Sequence, residues 1–147
     1  MFVEQMLPRA RERLATIGAA ASVKEAAALM SGSHIDLVVV CGHDGGMVGV
    51  ISKTDLVRQM GQCAEGGSTA RVDTIMTRDV ISCGSGDALQ DIWSTMKARG
   101  LQRIPIVDRQ GKPIGIAYAR DTLQNLLGEV ENEEALLRDY VMGVGYR

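Results

Sequence analysis

A seven-residue stretch occurs twice in this chain, 66 positions apart. Gly49-Val50-Ile51-Ser52-Lys53-Thr54-Asp55 returns as Gly115-Ile116-Ala117-Tyr118-Ala119-Arg120-Asp121. The register runs without a gap back to Met30 and Met96, pairing Val40 with Ile106, Gly45 with Gly111 and Val48 with Ile114. Identity between the copies is low, so the matched apolar pattern carries the duplication. Duplication restricts the fold. One unit of roughly 55 residues makes a marginal core. Two units packed face to face complete each other, with a cleft between them and a glycine–carboxylate junction near each end.

The order of elements can be read in each copy. Leu14–Ile17 is a short strand candidate. Ser22 with Glu25 makes a capping box for a helix running to about Ser31. Leu37–Cys41 is a continuous apolar run, as expected of a buried strand. Gly42–Gly46 is a hairpin turn, Met47–Ser52 the return strand and Thr54–Met60 the closing helix. In the second copy, Val80–Cys83 predicts a strand and Asp87 caps a helix to Arg99. Arg103–Val107 and Pro113–Tyr118 predict a hairpin about the Asp108–Lys112 turn, and 120–127 a helix. The class is α/β (α+β), each unit β-α-β-β-α. Met1–Arg13 reads as a helical turn followed by a charged loop, and 130–142 as one more helix.

At each junction a strand hands over to a helix N-terminus. Backbone N–H groups, hydroxyls and a carboxylate come together there. Ser52 and Thr54 can donate to an anion and Asp55 can accept from a diol, while the helix end favours a phosphate. The ordinary alternative is that these residues only cap the helix. Arg9, Arg11 and Arg13 form a basic patch, read either as a solvated face or as a contact for a ligand phosphate or a partner protein.

Several classes of function are disfavoured. Net charge is −2 and aromatics are 3% of the chain. Neither a basic nucleic-acid surface nor a row of stacking rings is present. No apolar run approaches the length of a membrane span. The three cysteines, Cys41, Cys63 and Cys83, are odd in number and widely spaced, which suits free thiols in the cytoplasm. His34 and His43 have no Cys or His at ligand spacing, which speaks against a metal site. No nucleophile or phosphate-loop motif occurs, and no acid/base pair can be named, so the enzyme reading is the weakest.

The chain resembles a tandem pair of CBS domains (cystathionine β-synthase repeats). The resemblance rests on Val72-Asp73-Thr74-Ile75-Met76-Thr77, on Ile104-Pro105-Ile106-Val107-Asp108, on Gly111 and on the two Gly…Asp junctions. It divides the chain into repeats at 3–61 and 72–128, a linker at 62–71 and a C-terminal helix and tail at 129–147. The first junction carries the family's Gly-hydrophobic-x-Ser/Thr-x-x-Asp pattern in full. The second has Tyr118 where a hydroxyl-bearing Ser or Thr is usual. Val39 replaces a usual proline, and the start of the first repeat carries a three-residue insertion before Leu14.

The resemblance implies a regulatory module that binds an adenosine-containing ligand such as AMP, ATP, NAD or S-adenosylmethionine, with no required cofactor. It implies that Asp55, with Ser52 and Thr54, faces Leu101 and Gln102. Asp121, with Tyr118 and Arg120, faces Ile35 and Asp36, and Arg103 matches a position that can hold phosphate. It also implies a homodimer built through helices and an effector protein of unknown identity. The rival reading is a structural dimerisation module with an empty cleft.

Overall fold

The structure is a computed structural model that describes residues 1–32, 34–62 and 69–128. Cys63, most of the linker and the expected helix at 130–142 lie outside the described residues. The fold is mixed α+β with two small sheets.

In the first repeat, β1 (Thr16–Gly18) runs parallel to β2 (Leu37–Cys41), which pairs antiparallel with β3 (Met47–Ser52). Helix α2 (Val23–Met30) lies between β1 and β2, and α3 (Lys53–Gln62) follows β3. The second repeat has α4 (Leu89–Arg99), the antiparallel pair β4 (Arg103–Val107) and β5 (Pro113–Tyr118), and α5 at 119–128. Both hairpins carry a register shift at the same place, Val40/Cys41 and Ile106/Val107. Both turns place glycine at positive φ, 82° at Gly45 and 80° at Gly111. The sequence copies are thus structural copies.

Four expectations need correction. The first strand begins two residues later than Leu14, since Ala15 only lends its carbonyl to Val39 N–H. The expected strand at 80–83 shrinks to one parallel bridge, Cys83 with Ile106, the counterpart of Ile17 with Val40. It ends there because the chain turns at once: Gly84 N–H donates to Asp87 Oδ2 at 2.9 Å. That bond also occupies Asp87, so it does not cap α4. The N-cap is Ala88, which has no side chain for the task, whereas Ser22, its counterpart, accepts from Glu25 N–H at 3.1 Å. The charged loop expected before Arg13 is helix α1 (Leu7–Glu12), which has proline in its first turn, a position that needs no N–H.

The two repeats exchange their leading arms. Val3 N–H donates to Asp87 O and Glu4 N–H to Ser85 O, so the first arm lies on the second repeat. Val72 N–H donates to Ala21 O and Thr77 exchanges bonds with Val50, so the second arm lies on the first repeat. Each core is therefore mixed. Val3, Met6 and Ala10 pack with Leu89, Ile92, Met96, Ile104 and Ile106. Val72 packs with Val23, Ala26, Val38, Val40 and Ile51. A third cluster, Val39 with Ile116 and Tyr118, seals the seam between the sheets. The inserted residues fall within the first arm. Val3 matches Val72 in its bonding, yet Ala10 takes the place that Met76 takes in the other arm, and the extra length forms α1.

Gly49 and Gly115 are where the arms touch down. A Cβ at Gly49 would stand 2.7 Å from Thr77 O and 2.6 Å from Met76 Sδ. At Gly115 it would stand 2.9 Å from Ala10 Cβ and 3.1 Å from its carbonyl carbon. The close backbone approach that these glycines permit is to the exchanged arm. Cys83 is buried beside this packing, and burial, with Asp87 adding to it, pushes its thiol up to about 12, so it stays protonated. Gly49→Ala and Gly115→Ala should each destabilise the fold by about 1–3 kcal/mol, as overpacking does. Gly61→Ala, in α3 with nothing within 4 Å of its Cβ position, should be neutral or stabilising. Urea melts of the three variants check this, and an unchanged midpoint for Gly49→Ala would count against the touchdown.

Candidate functional site

Both junctions lie at the start of a helix, and both are tied to their own hairpin in the same way. Lys53 N–H donates to Asp36 O at 3.1 Å, and Ala119 N–H donates to Gln102 O at 2.8 Å. This follows from the strand register, in which Leu37 faces Ser52 and Arg103 faces Tyr118. The residues just before β2 and β4 therefore sit beside the carboxylate-bearing helix starts.

The two carboxylates are held differently. Asp55 Oδ2 accepts from Ser52 N–H at 2.9 Å, and Asp55 N–H donates to Ser52 Oγ at 3.2 Å, a reciprocal capping box. Its Oδ1 lies 3.6 Å from Nη1 of Arg58, whose side chain is 62% exposed. That separation is longer than a good hydrogen bond, and an exposed pair of this kind is worth little. Thr54 is exposed beside it. Tyr118 replaces Ser52 in the second copy and cannot repeat the box, because its hydroxyl lies at the far end of a ring. Asp121 is instead gripped by Arg13 from the end of α1, Nε to Oδ2 and Nη2 to Oδ1, both at 3.3 Å. The Asp121 side chain is 8% exposed and that of Arg13 18%. Arg120 is exposed.

A second ion pair crosses the repeats. Arg103 Nη2 stands 2.6 Å from Asp36 Oδ2. The guanidiniums of Arg13 and Arg103 lie over the Tyr118 ring, 4.2 and 4.7 Å from its centre, an arrangement that cation–π attraction favours. Two polar atoms of the Arg103–Asp36 pair, Asp36 Oδ1 and Arg103 Nε, are buried without a hydrogen-bond partner. Next to this group a cavity of about 300 Å³ is lined by Glu12, Arg13, His34, Ile35 and Tyr118, at the lower end of the size range of small-ligand sites.

The structure thus brings Ile35, Tyr118 and Arg13 around one cavity, with Asp121 held by Arg13 and Asp36 and Arg103 paired close by. Leu101 packs with the second repeat's own core, and Gln102 is exposed, its Oε1 3.5 Å from Arg103 Nη1. Arg13 was legible only as part of a basic run with Arg9 and Arg11. The signal that sets it apart is the register: the residue at its place in the second arm is Asp79.

Removing one partner of a half-buried ion pair strands the other. Arg103→Ala should destabilise the protein by about 1–3 kcal/mol. Asp36→Ala in the same chain should restore part of that loss. Denaturant melts of the single and double variants give the coupling, and additive losses would mean that the pair contributes nothing.

The family model of the CBS domain matches residues 3–61 and 72–128. Homoserine O-acetyltransferase of Methanosphaera stadtmanae is 29% identical over 100 residues, 68% of this chain and 19% of that protein. The chain spans about a fifth of the length of the curated relatives it matches first. Among solved structures, the CBS domain pair of protein MJ0100, in complex with 5′-methylthioadenosine and S-adenosyl-L-methionine, superposes with a TM-score of 0.71 at 22% identity, covering 88% of this chain and 98% of that one. CBSX2 in complex with AMP gives 0.69 at 23% identity, covering 80% and 90%. The chain belongs to the CBS domain family and is a pair of its repeats. No helix among the described residues is long and apolar enough to cross a membrane.

Proposed function

We propose that this CBS pair is a cytoplasmic regulatory module, not a catalyst, that takes an adenosine-containing ligand between its repeats and passes the event to an effector protein. One observation carries the reading. Asp55 is fixed by the capping box with Oδ1 facing only the exposed Arg58 at 3.6 Å, beside the exposed Thr54 at a helix N-terminus. A pre-oriented carboxylate with spare acceptor capacity suits a vicinal diol, and the helix end suits an anionic group. Capping and ligand binding are then two uses of one residue. The likeness to pairs solved with S-adenosyl-L-methionine, 5′-methylthioadenosine and AMP supports the ligand class.

The proposed lining is Ser52, Thr54 and Asp55 with Leu101 and Gln102 for the first cleft. Tyr118, Arg120 and Asp121 with Ile35 and Asp36 line the second. Arg103 stands between the repeats and reaches a phosphate only by leaving Asp36. Adenine nucleotides and S-adenosylmethionine should raise the melting temperature by mass action. Asp55→Asn keeps an acceptor for the cap but removes the charge. It should weaken ligand binding by about 1.5–3 kcal/mol, the value of a charge-assisted hydrogen bond. Calorimetric titration checks this, and a flat thermal-shift panel would leave a purely structural module as the better reading.

Assembly is the second half of the proposal. Val57 is 68% exposed, Met60 67%, Leu123 38% and Leu127 52%. Val57 and Leu123 are counterparts on α3 and α5, so the pseudo-symmetric molecule presents apolar residues at matching places on two helices. We assign this face to a homodimer. Light scattering at tens of micromolar, a range in which specific dimers normally persist, should give twice the mass of one chain. Val57→Glu with Leu123→Glu should return it to one.

A further inference from the structure

We infer that Arg13 is the specificity gate of the second cleft, closing it to uncharged nucleosides and admitting those that carry a phosphate. This rests on the proposed reading of the clefts as adenosine sites. The guanidinium uses both oxygens of Asp121, at 3.3 Å each. With Arg13 over it the Asp121 side chain is only 8% exposed, so a vicinal diol reaches those oxygens only when Arg13 moves aside. The side chains of the pair are 18% and 8% exposed, so water is a poor replacement for either partner. An uncharged nucleoside that takes Asp121 leaves Arg13 half-buried over Tyr118 without a counter-ion. A nucleoside phosphate brings its own. Its oxygens match the guanidinium fork as the carboxylate does, so Arg13 can pass from Asp121 to phosphate while the diol takes Asp121.

The first cleft has no such gate in its arm, and the arginine at Asp55, Arg58, stands 3.6 Å away with its side chain 62% exposed. Ala10 on Gly115 and Met76 on Gly49 are the matching touchdown points. Three residues beyond them stand Arg13 and Asp79, and Asp79 is exposed and of the wrong sign to hold Asp55. Asp55 is held by Ser52 instead, through a hydroxyl that Tyr118 lacks. The two differences are complementary: the copy without a capping serine has an arginine at the matching place in its arm. The two clefts therefore differ in ligand class.

The test uses the full chain with the first cleft weakened by Asp55→Asn. Adenosine and AMP are titrated calorimetrically into that protein and into the same protein carrying Arg13→Gln. With Arg13 present, AMP should bind at least tenfold more tightly than adenosine, the lower value of one charge-assisted bond. With Arg13→Gln, adenosine should gain and AMP lose until the two bind within about threefold, a difference below one kcal/mol. Arg13→Lys, a cation without the fork, should fall between them, and thermal melts show that each protein is folded. Equal binding of both nucleosides with Arg13 present, or an AMP preference unchanged by Arg13→Gln, overturns the gate. So does the absence of any binding to the Asp55→Asn proteins. In that case, wild-type protein that still binds leaves the adenosine reading of the first cleft standing, and wild-type protein that binds nothing removes both.

Discussion

The exchange of arms, seated on Gly49 and Gly115, is the contact from which the rest of the molecule follows. Each sheet is small: three strands in one repeat, two in the other. Neither could cover its helices alone. The arm from the other repeat supplies the missing apolar side chains, Val3 and Met6 on one side and Val72 on the other, all of them buried. The touchdown points allow no Cβ, so the backbones approach as closely as backbones can. That spacing fixes where α1 ends, and hence where Arg13 stands.

The same contact explains how two junctions of common origin came to differ. The second arm passes from Val72 to Met76 through a single 3-10 turn. The first carries three more residues and winds them into α1, whose end delivers a cation to the opposite repeat. Tyr118, no longer needing to cap, turns its ring into the seam, packs with Val39 and Ile116, and accepts two guanidiniums over it. Thr122 then satisfies its own hydroxyl on Tyr118 O at 2.9 Å. Asymmetry at one arm has been absorbed by polar contacts at the other end of the cleft.

Much of this was legible in the sequence. The hairpins were, because Leu37–Cys41 and Arg103–Val107 are short apolar runs bounded by glycine turns whose φ only glycine adopts easily. The capping by Ser22 was, because its bond is local. The strand at 80–83 was misread because its apolar residues pair at one position only, a matter decided by the turn at Gly84 and not by propensity. Asp87 was misread for the same reason: a carboxylate two residues before a helix has a nearer N–H to hold. The arm exchange and the Arg13–Asp121 pair could not be read locally at all, since their partners are some 30 to 110 residues away. Only the register shift between Val3/Val72 and Ala10/Met76 records them, and a shift of three residues does not say what the inserted turn touches.

The exchange also bears on how the chain is made. Val3, Met6 and Ala10 leave the ribosome long before Asp87, Leu89 and Ile92 exist to cover them. Until the second repeat is synthesised, the first arm is an apolar ribbon without a receptor, and closing it spans most of the chain, which slows folding. A neighbouring nascent chain offers the same receptor as its own. An arm that finds the second repeat of another molecule completes that core as well as its own would, which is the physical basis of a domain-swapped pair. Strong seating of the arm and the risk of seating it in the wrong molecule are one property of this fold.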